Sequence, residues 1–170
     1  MNVYKLFWFI RGIFYKILFK KMGFLSYLGK PIFISGFKNI EINNRVRIFP
    51  NARIESIKSG KIIINNNVSI GPNINITSIN KVFIDEGVTI SANVFITDMD
   101  HDFSQNNQSI MKNSIIKSSG TFIGKNSFIG SGAVILAGTT IGKSVVIGAN
   151  LVVRGDFKDG EIISSNQIRR

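Results

Sequence analysis

The 170-residue chain contains no cysteine and a single histidine, His101. The first absence removes disulfides, thiolate metal sites and cysteine nucleophiles from consideration. The second excludes a zinc site built from several histidines, and no metal is expected. Acids are scarce too, 10 against 21 lysines and arginines, and none precedes Glu41. The resulting formal charge of +11 favours an anionic partner such as nucleic acid, lipid headgroups or a phosphorylated coenzyme, without choosing among them. Long uncharged apolar runs are also missing. A bilayer core asks for about 20 mainly apolar residues, so the opening segment does not read as a spanning helix. Its interrupted apolar run, with no small-residue cleavage site after it, does not suit a signal peptide either.

What stands in that segment is LFWFI, IFY and ILF, punctuated by Lys5, Arg11, Lys16 and Lys20. It reads as a short amphipathic helix at a membrane interface, with Phe7, Trp8, Phe14 and Phe19 entering the headgroup boundary and Lys5, Lys16 and Lys20 facing phosphates. Peripheral contact of residues 1–22 with an anionic inner-membrane surface is therefore expected. Packing of the same aromatics on the protein or on a neighbouring subunit is the alternative. Residues 1–30 form this basic segment and residues 31–170 one domain, for which 44% hydrophobic content supplies an ordinary core.

From residue 42 the chain divides into six-residue units led by an aliphatic: INNRVR, IFPNAR, INNNVS, IGPNIN, IDEGVT, ISANVF, and later IGKNSF, IGSGAV, ILAGTT, IGKSVV, IGANLV. With Ile54, Ile76, Ile96 and Val153, the leading slots hold isoleucine everywhere except at Val153. Neither a period of 3.6 nor one of 2 explains this pattern, whereas six-residue parallel β-helix repeats do. Each short strand turns one aliphatic inward, and a tight turn using Gly or Asn redirects the chain. Three units close one coil, which stacks Ile42, Ile64 and Ile84, and likewise Ile48, Ile70 and Ile90. Longer spacings place small excursions near ESIKSGK and TSINK. One large insertion remains, a polar loop at about 97–116 opening with ITDMDHDFSQNNQ. Long loops in compact domains are uncommon and often functional.

These hexapeptides, the histidine loop and the block FIGKNSFIGSGAVILAGTTIGKSVVIGANLVVRGDF resemble the hexapeptide-repeat acyltransferases over residues 30 to 168. The bacterial O-acetyltransferases of surface polysaccharides look most alike. The resemblance implies an all-β, left-handed parallel β-helix, a homotrimer, and acetyl-CoA as acyl donor in the groove between neighbouring subunits. It also implies a catalytic histidine shortly after an Asn-containing hexapeptide, as His101 follows Asn93. Relatives often carry DHDH in this loop, where this chain has Met99 in place of the first histidine.

Acetyl transfer to a sugar hydroxyl needs the hydroxyl proton removed as the oxygen attacks, and imidazole suits that work near neutral pH. His101 is the only candidate base. A carboxylate on its other ring nitrogen would fix the tautomer, and Asp98, Asp100 and Asp102 are all near in sequence. The resemblance places substrate contacts at Asn73 and Asn93, with Asp102 beside them. It places oxyanion-binding backbone N–H groups around Ser131 and Gly132. Coenzyme contacts fall at Ser131, Gly132, Gly148 and Ala149, with Lys143 and Arg154 for phosphate. For the glycines and Ala149, tight β-helix turns are a sufficient explanation without any ligand. The expectation is thus a cytoplasmic, acetyl-CoA-dependent sugar O-acetyltransferase of cell-envelope polysaccharide synthesis. It transfers directly, binds no nucleic acid, and has contact with the membrane face. A non-catalytic β-solenoid scaffold or membrane-surface interaction protein is the competing reading.

Overall fold

The computed structural model describes residues 3–101, 115–117 and 119–165. After an N-terminal helix, α1 (Val3–Tyr15), these residues wind into a parallel β-helix of about six turns. Its three walls are parallel sheets of seven, seven and six short strands.

The strand registers show why isoleucine recurs. Along the first wall Met22, Ile42, Ile64, Ile84, Ile123, Ile141 and Phe157 lie in one column. The second wall stacks Leu28, Ile48, Ile70, Ile90, Ile129, Ile147 and Ile163. The third stacks Ile34, Ile54, Ile76, Ile96, Ile135 and Val153. The column of Ile42, Ile64 and Ile84 is the one the spacing predicts. Within a strand only alternate residues turn inward: in Lys61–Ile64, Ile62 and Ile64 are buried while Lys61 is exposed. Stiff β-branched side chains suit such a column because they lose little rotamer freedom when stacked.

Corners between walls demand left-handed backbone, and Asn67, Asn73, Asn93, Asn126 and Asn150 all have positive φ. Asparagine tolerates that geometry and can bond to its neighbour in the next coil. Asn51 donates to Asn73 at 3.0 Å and Asn73 to Asn93 at 2.8 Å. A second ladder runs from Asn43 to Asn65 at 3.0 Å and on to Asp85 at 3.1 Å. The expected excursions are present where strands Arg53–Ser56 and Asn75–Ser78 run two residues past the leading isoleucine's partner before the chain turns to Lys61 and Lys81.

Because each coil touches only its neighbours, a cavity in one column is not relieved elsewhere. Ile64→Ala, between Ile42 and Ile84, is expected to cost about 2–5 kcal/mol, read as a lower urea midpoint with little change in slope.

Two aromatic assignments need correction. Trp8 packs inward, its ring 5.7 Å from Tyr27 and 5.8 Å from Phe49. Phe19 is buried, edge-on to Phe37 at 5.0 Å. Only Phe7 and Phe14 of the expected set face outward, at 61% and 71% exposure. The solenoid walls begin at Lys21, ahead of residue 31 where the β-helix domain was expected to start. No helix among the described residues is long and apolar enough to cross a membrane.

Candidate active site

The insertion leaves the solenoid at the corner between the third and first walls. Register is kept across it: Ile84 pairs with Ile123 and Ile96 with Ile135. Rather than looping at once, the chain forms an antiparallel ribbon in which Met99, Asp100 and His101 face Lys117, Ile116 and Ile115. His101 therefore ends the outgoing arm. Asp102, expected near the substrate, lies outside the described residues.

The root of the ribbon is fixed by Asp98, whose side chain is fully buried. Its carboxylate accepts hydrogen bonds from Ser78 Oγ at 2.8 Å, Ile79 N–H at 2.7 Å and Asn80 N–H at 2.9 Å. These donors are the corner that the extra residues of TSINK create one coil earlier. A carboxylate meeting convergent backbone N–H groups makes strong, charge-assisted bonds. The two ends of the insertion are also tied, since buried Thr121 donates from Oγ1 to the Thr97 carbonyl at 2.8 Å. Ser78 and Thr121 were not singled out from the sequence. The unusual length of the TSINK corner was the one signal pointing to Ser78.

Asp100 is bound differently. Its carboxylate accepts from Arg154 Nη2 at 2.6 Å, which joins the ribbon to a corner two coils on. Two residues expected to serve different partners, a base and a coenzyme phosphate, thus meet each other.

The remaining candidates sit at other corners. Asn73, Asn93, Ser131, Gly132, Gly148 and Ala149 follow strands of the second wall, at the corner leading into the third. Asn73 and Asn93 are members of the asparagine ladder. Ser131 Oγ donates to the Ala92 carbonyl at 2.9 Å, and Gly132 N–H donates to the same oxygen at 3.0 Å. That N–H is committed to the coil ladder rather than open to an oxyanion. At Gly132, φ is 72°, and an added Cβ would collide with the Asn150 side chain, so the turn accounts for this glycine. Ala149 and Ser131 are exposed, with Gly148 half-buried. Lys143 lies at the third corner, between first and second walls, exposed, its backbone N–H held by Asp159 at 2.7 Å. Nearby Glu86 accepts from Lys125 at 3.0 Å, and that bond, helped by the lysine's charge, holds its carboxyl below the usual range.

One chain therefore gathers Asp98, Asp100, Arg154 and the ribbon at one edge of the third wall. The small corner residues lie at its other edge, across the strands Phe95–Thr97, Val134–Ile135 and Val152–Val153. On the outer face between them Asn75 Oδ1 is buried without a hydrogen-bond partner among the described residues, flanked in the ladder by Arg53 and Phe95.

Coils of six-residue units with inward isoleucines and polar corners define a hexapeptide-repeat β-helix. Residues 120–155 match the family described as bacterial transferase hexapeptide (six repeats). No curated protein matches the chain. Among solved structures, the chain is similar to AntD, an N-acyltransferase from Bacillus cereus in complex with dTDP and 3-hydroxybutyryl-CoA. That likeness has 22% identity and a TM-score of 0.77, and covers 89% of this chain and 81% of the other. Galactoside acetyltransferase in complex with coenzyme A is similar at 25% identity and TM-score 0.59, with 89% and 64% of the two chains covered. A hexapeptide-repeat-containing acetyltransferase from Vibrio cholerae has 23% identity and TM-score 0.59, with coverage of 91% and 74%.

Proposed function

We propose that the chain is an acyl-CoA-dependent acyltransferase acting on sugars, and more narrowly an O-acetyltransferase of cell-envelope polysaccharide synthesis with His101 as general base. The observation that carries this reading is the ribbon: a histidine at the end of an arm whose root is fixed by a buried carboxylate. A non-catalytic scaffold has no use for that construction. The coenzyme A and dTDP-sugar ligands of the similar structures support the same class of substrates.

In this reading His101 removes the acceptor hydroxyl proton as that oxygen attacks the thioester carbonyl. The tetrahedral centre collapses, the C–S bond breaks, and the imidazolium returns the proton to the departing thiolate. The chain's contribution is placement, since the effective concentration of positioned groups supplies much of such a rate. Asp98 holds the ribbon root, and Asp100 and Arg154 set its lean. Asn73, Asn93 and Asp102 meet the sugar. Ser131, Gly132, Gly148 and Ala149 offer an unobstructed surface to the pantetheine arm, with Lys143 and Arg154 toward phosphates. Since these groups occupy different corners of one chain, the reading needs a homotrimer in which the ribbon edge of one copy faces the small-residue edge of the next. The enzyme works in the cytoplasm, where acyl-CoA is made, with residues 1–22 in peripheral contact with the membrane.

Thiol release from acetyl-CoA against a panel of sugar nucleotides, lipid-linked sugars and oligosaccharides tests the reading. Release with none of them defeats it, and release only with amino sugars replaces O-transfer by the N-transfer of AntD. Arg154→Gln is expected to raise KM for acetyl-CoA about tenfold, the loss of one charge-assisted bond to phosphate, and to lower kcat as well, because the ribbon loses its tie through Asp100. Steady-state kinetics at saturating acceptor checks it.

A further inference from the structure

Helix α1 is apolar on two opposite faces. Trp8, Gly12 and Tyr15 turn toward the solenoid, while Leu6, Phe7, Ile10, Ile13 and Phe14 point away from it. Beyond the helix Ile17 is 87% exposed. A helix apolar all round is ordinarily covered on both sides.

The neighbouring corner of the first coil shows the same bias independently. There the turn carries Phe24–Leu25, 67% and 47% exposed. In every later coil the equivalent pair is hydrophilic or small: Asn44–Arg45, Asn66–Asn67, Glu86–Gly87, Lys125–Asn126, Lys143–Ser144 and Asp159–Gly160, as the corner hydrogen bonds align them. Leu25 has φ 56°, a left-handed conformation that aliphatic residues avoid and that asparagine or glycine tolerates. Neither the core nor the turn asks for leucine there. Between helix and corner lies a groove of about 210 Å3 lined by Gly12, Ile13, Lys16, Gly23, Phe24 and Leu25.

Charge decides what covers this surface. Lys16, Lys21 and Arg45 are exposed around it, and no acid occurs before Glu41, which itself pairs with Lys20 at 2.8 Å. A second copy of the chain would set like charges against each other, whereas anionic headgroups match them while hydrocarbon takes the aromatic and aliphatic side chains.

We propose that the outward face of α1 together with the Phe24–Leu25 corner is a docking surface for an anionic phospholipid bilayer. The proposal rests on the peripheral placement given above and defines its surface. It is independent of the transfer chemistry.

The test is co-sedimentation of the full-length protein with vesicles of phosphatidylcholine alone and of an equal mixture with phosphatidylglycerol. The wild type should pellet with the mixture and not with phosphatidylcholine alone. Phe24→Asn/Leu25→Asn, which copies the Asn66–Asn67 corner and relieves its backbone, should lower partition by about tenfold or more, as should Phe7→Ser/Phe14→Ser. Thiol release with a soluble acceptor should be unchanged in both, which separates docking from transfer. Binding of the variants equal to wild type would overturn the proposal. So would indifference of the wild type to phosphatidylglycerol, or a change of oligomer size in the variants without vesicles.

Discussion

His101→Ala should lower turnover by about 100- to 10 000-fold, the range that a positioned general base contributes, while acetyl-CoA still binds. His101 lies in the ribbon, outside the three walls that carry the core, so the loss should fall on chemistry and not on folding. The circular dichroism melt and the coenzyme affinity by calorimetry are expected to match wild type. Turnover within a few-fold of wild type would remove the histidine from the mechanism and return the solenoid to the scaffold reading. The pH–rate profile of the unaltered enzyme provides a second check: activity should fall on the acid side as the imidazole protonates, and the Ala variant's residual rate should not show that limb.

Asp98→Ala should be the most damaging change to the site's frame. The alanine strands two backbone N–H donors gathered on one buried carboxylate, while the Ser78 hydroxyl keeps the Lys61 carbonyl at 3.1 Å as its acceptor. A buried donor left without a partner costs about 1–3 kcal/mol, so a loss on the order of 3 kcal/mol or more is expected in chemical denaturation. Turnover should fall with it, because the ribbon leaves the solenoid at this residue. Asp98→Asn separates two roles. It keeps the shape and one acceptor, so a purely structural residue would give lowered stability with an unshifted acid limb in the pH–rate profile. If Asp98 also acts through the imidazole, that limb moves to lower pH, because neutralising a nearby carboxylate disfavours the imidazolium.

The solenoid was legible because its rule is local: one inward aliphatic per six residues writes the columns directly into the chain, and the extra residues of ESIKSGK and TSINK marked true corners. The wall to which each candidate belongs could be read the same way, from the isoleucine that precedes it. What the repeat does not write is contact between coils. Asp98 engages Ser78, Ile79 and Asn80 one coil back, and two of those three bonds are to backbone N–H groups that carry no side-chain signal. Asp100 and Arg154 are 54 positions apart and meet only because the ribbon leans over later coils. In α1, hydrophobic periodicity cannot say which of two apolar faces meets protein, so Trp8 and Phe19 were assigned outward. Phe24 and Leu25 stood out only once the corners were aligned, when hydrophilic neighbours made them the exception.

Because Ile84 meets Ile123 and Ile96 meets Ile135 without slippage, and Thr121 closes the neck on Thr97, the insertion hangs from the ladder like a side chain written in amino acids. Its length and composition can drift while every rung keeps its neighbour. Such a scaffold confines the effect of insertions and deletions to the stretch that departs between Thr97 and Thr121, and spares the stack that carries it.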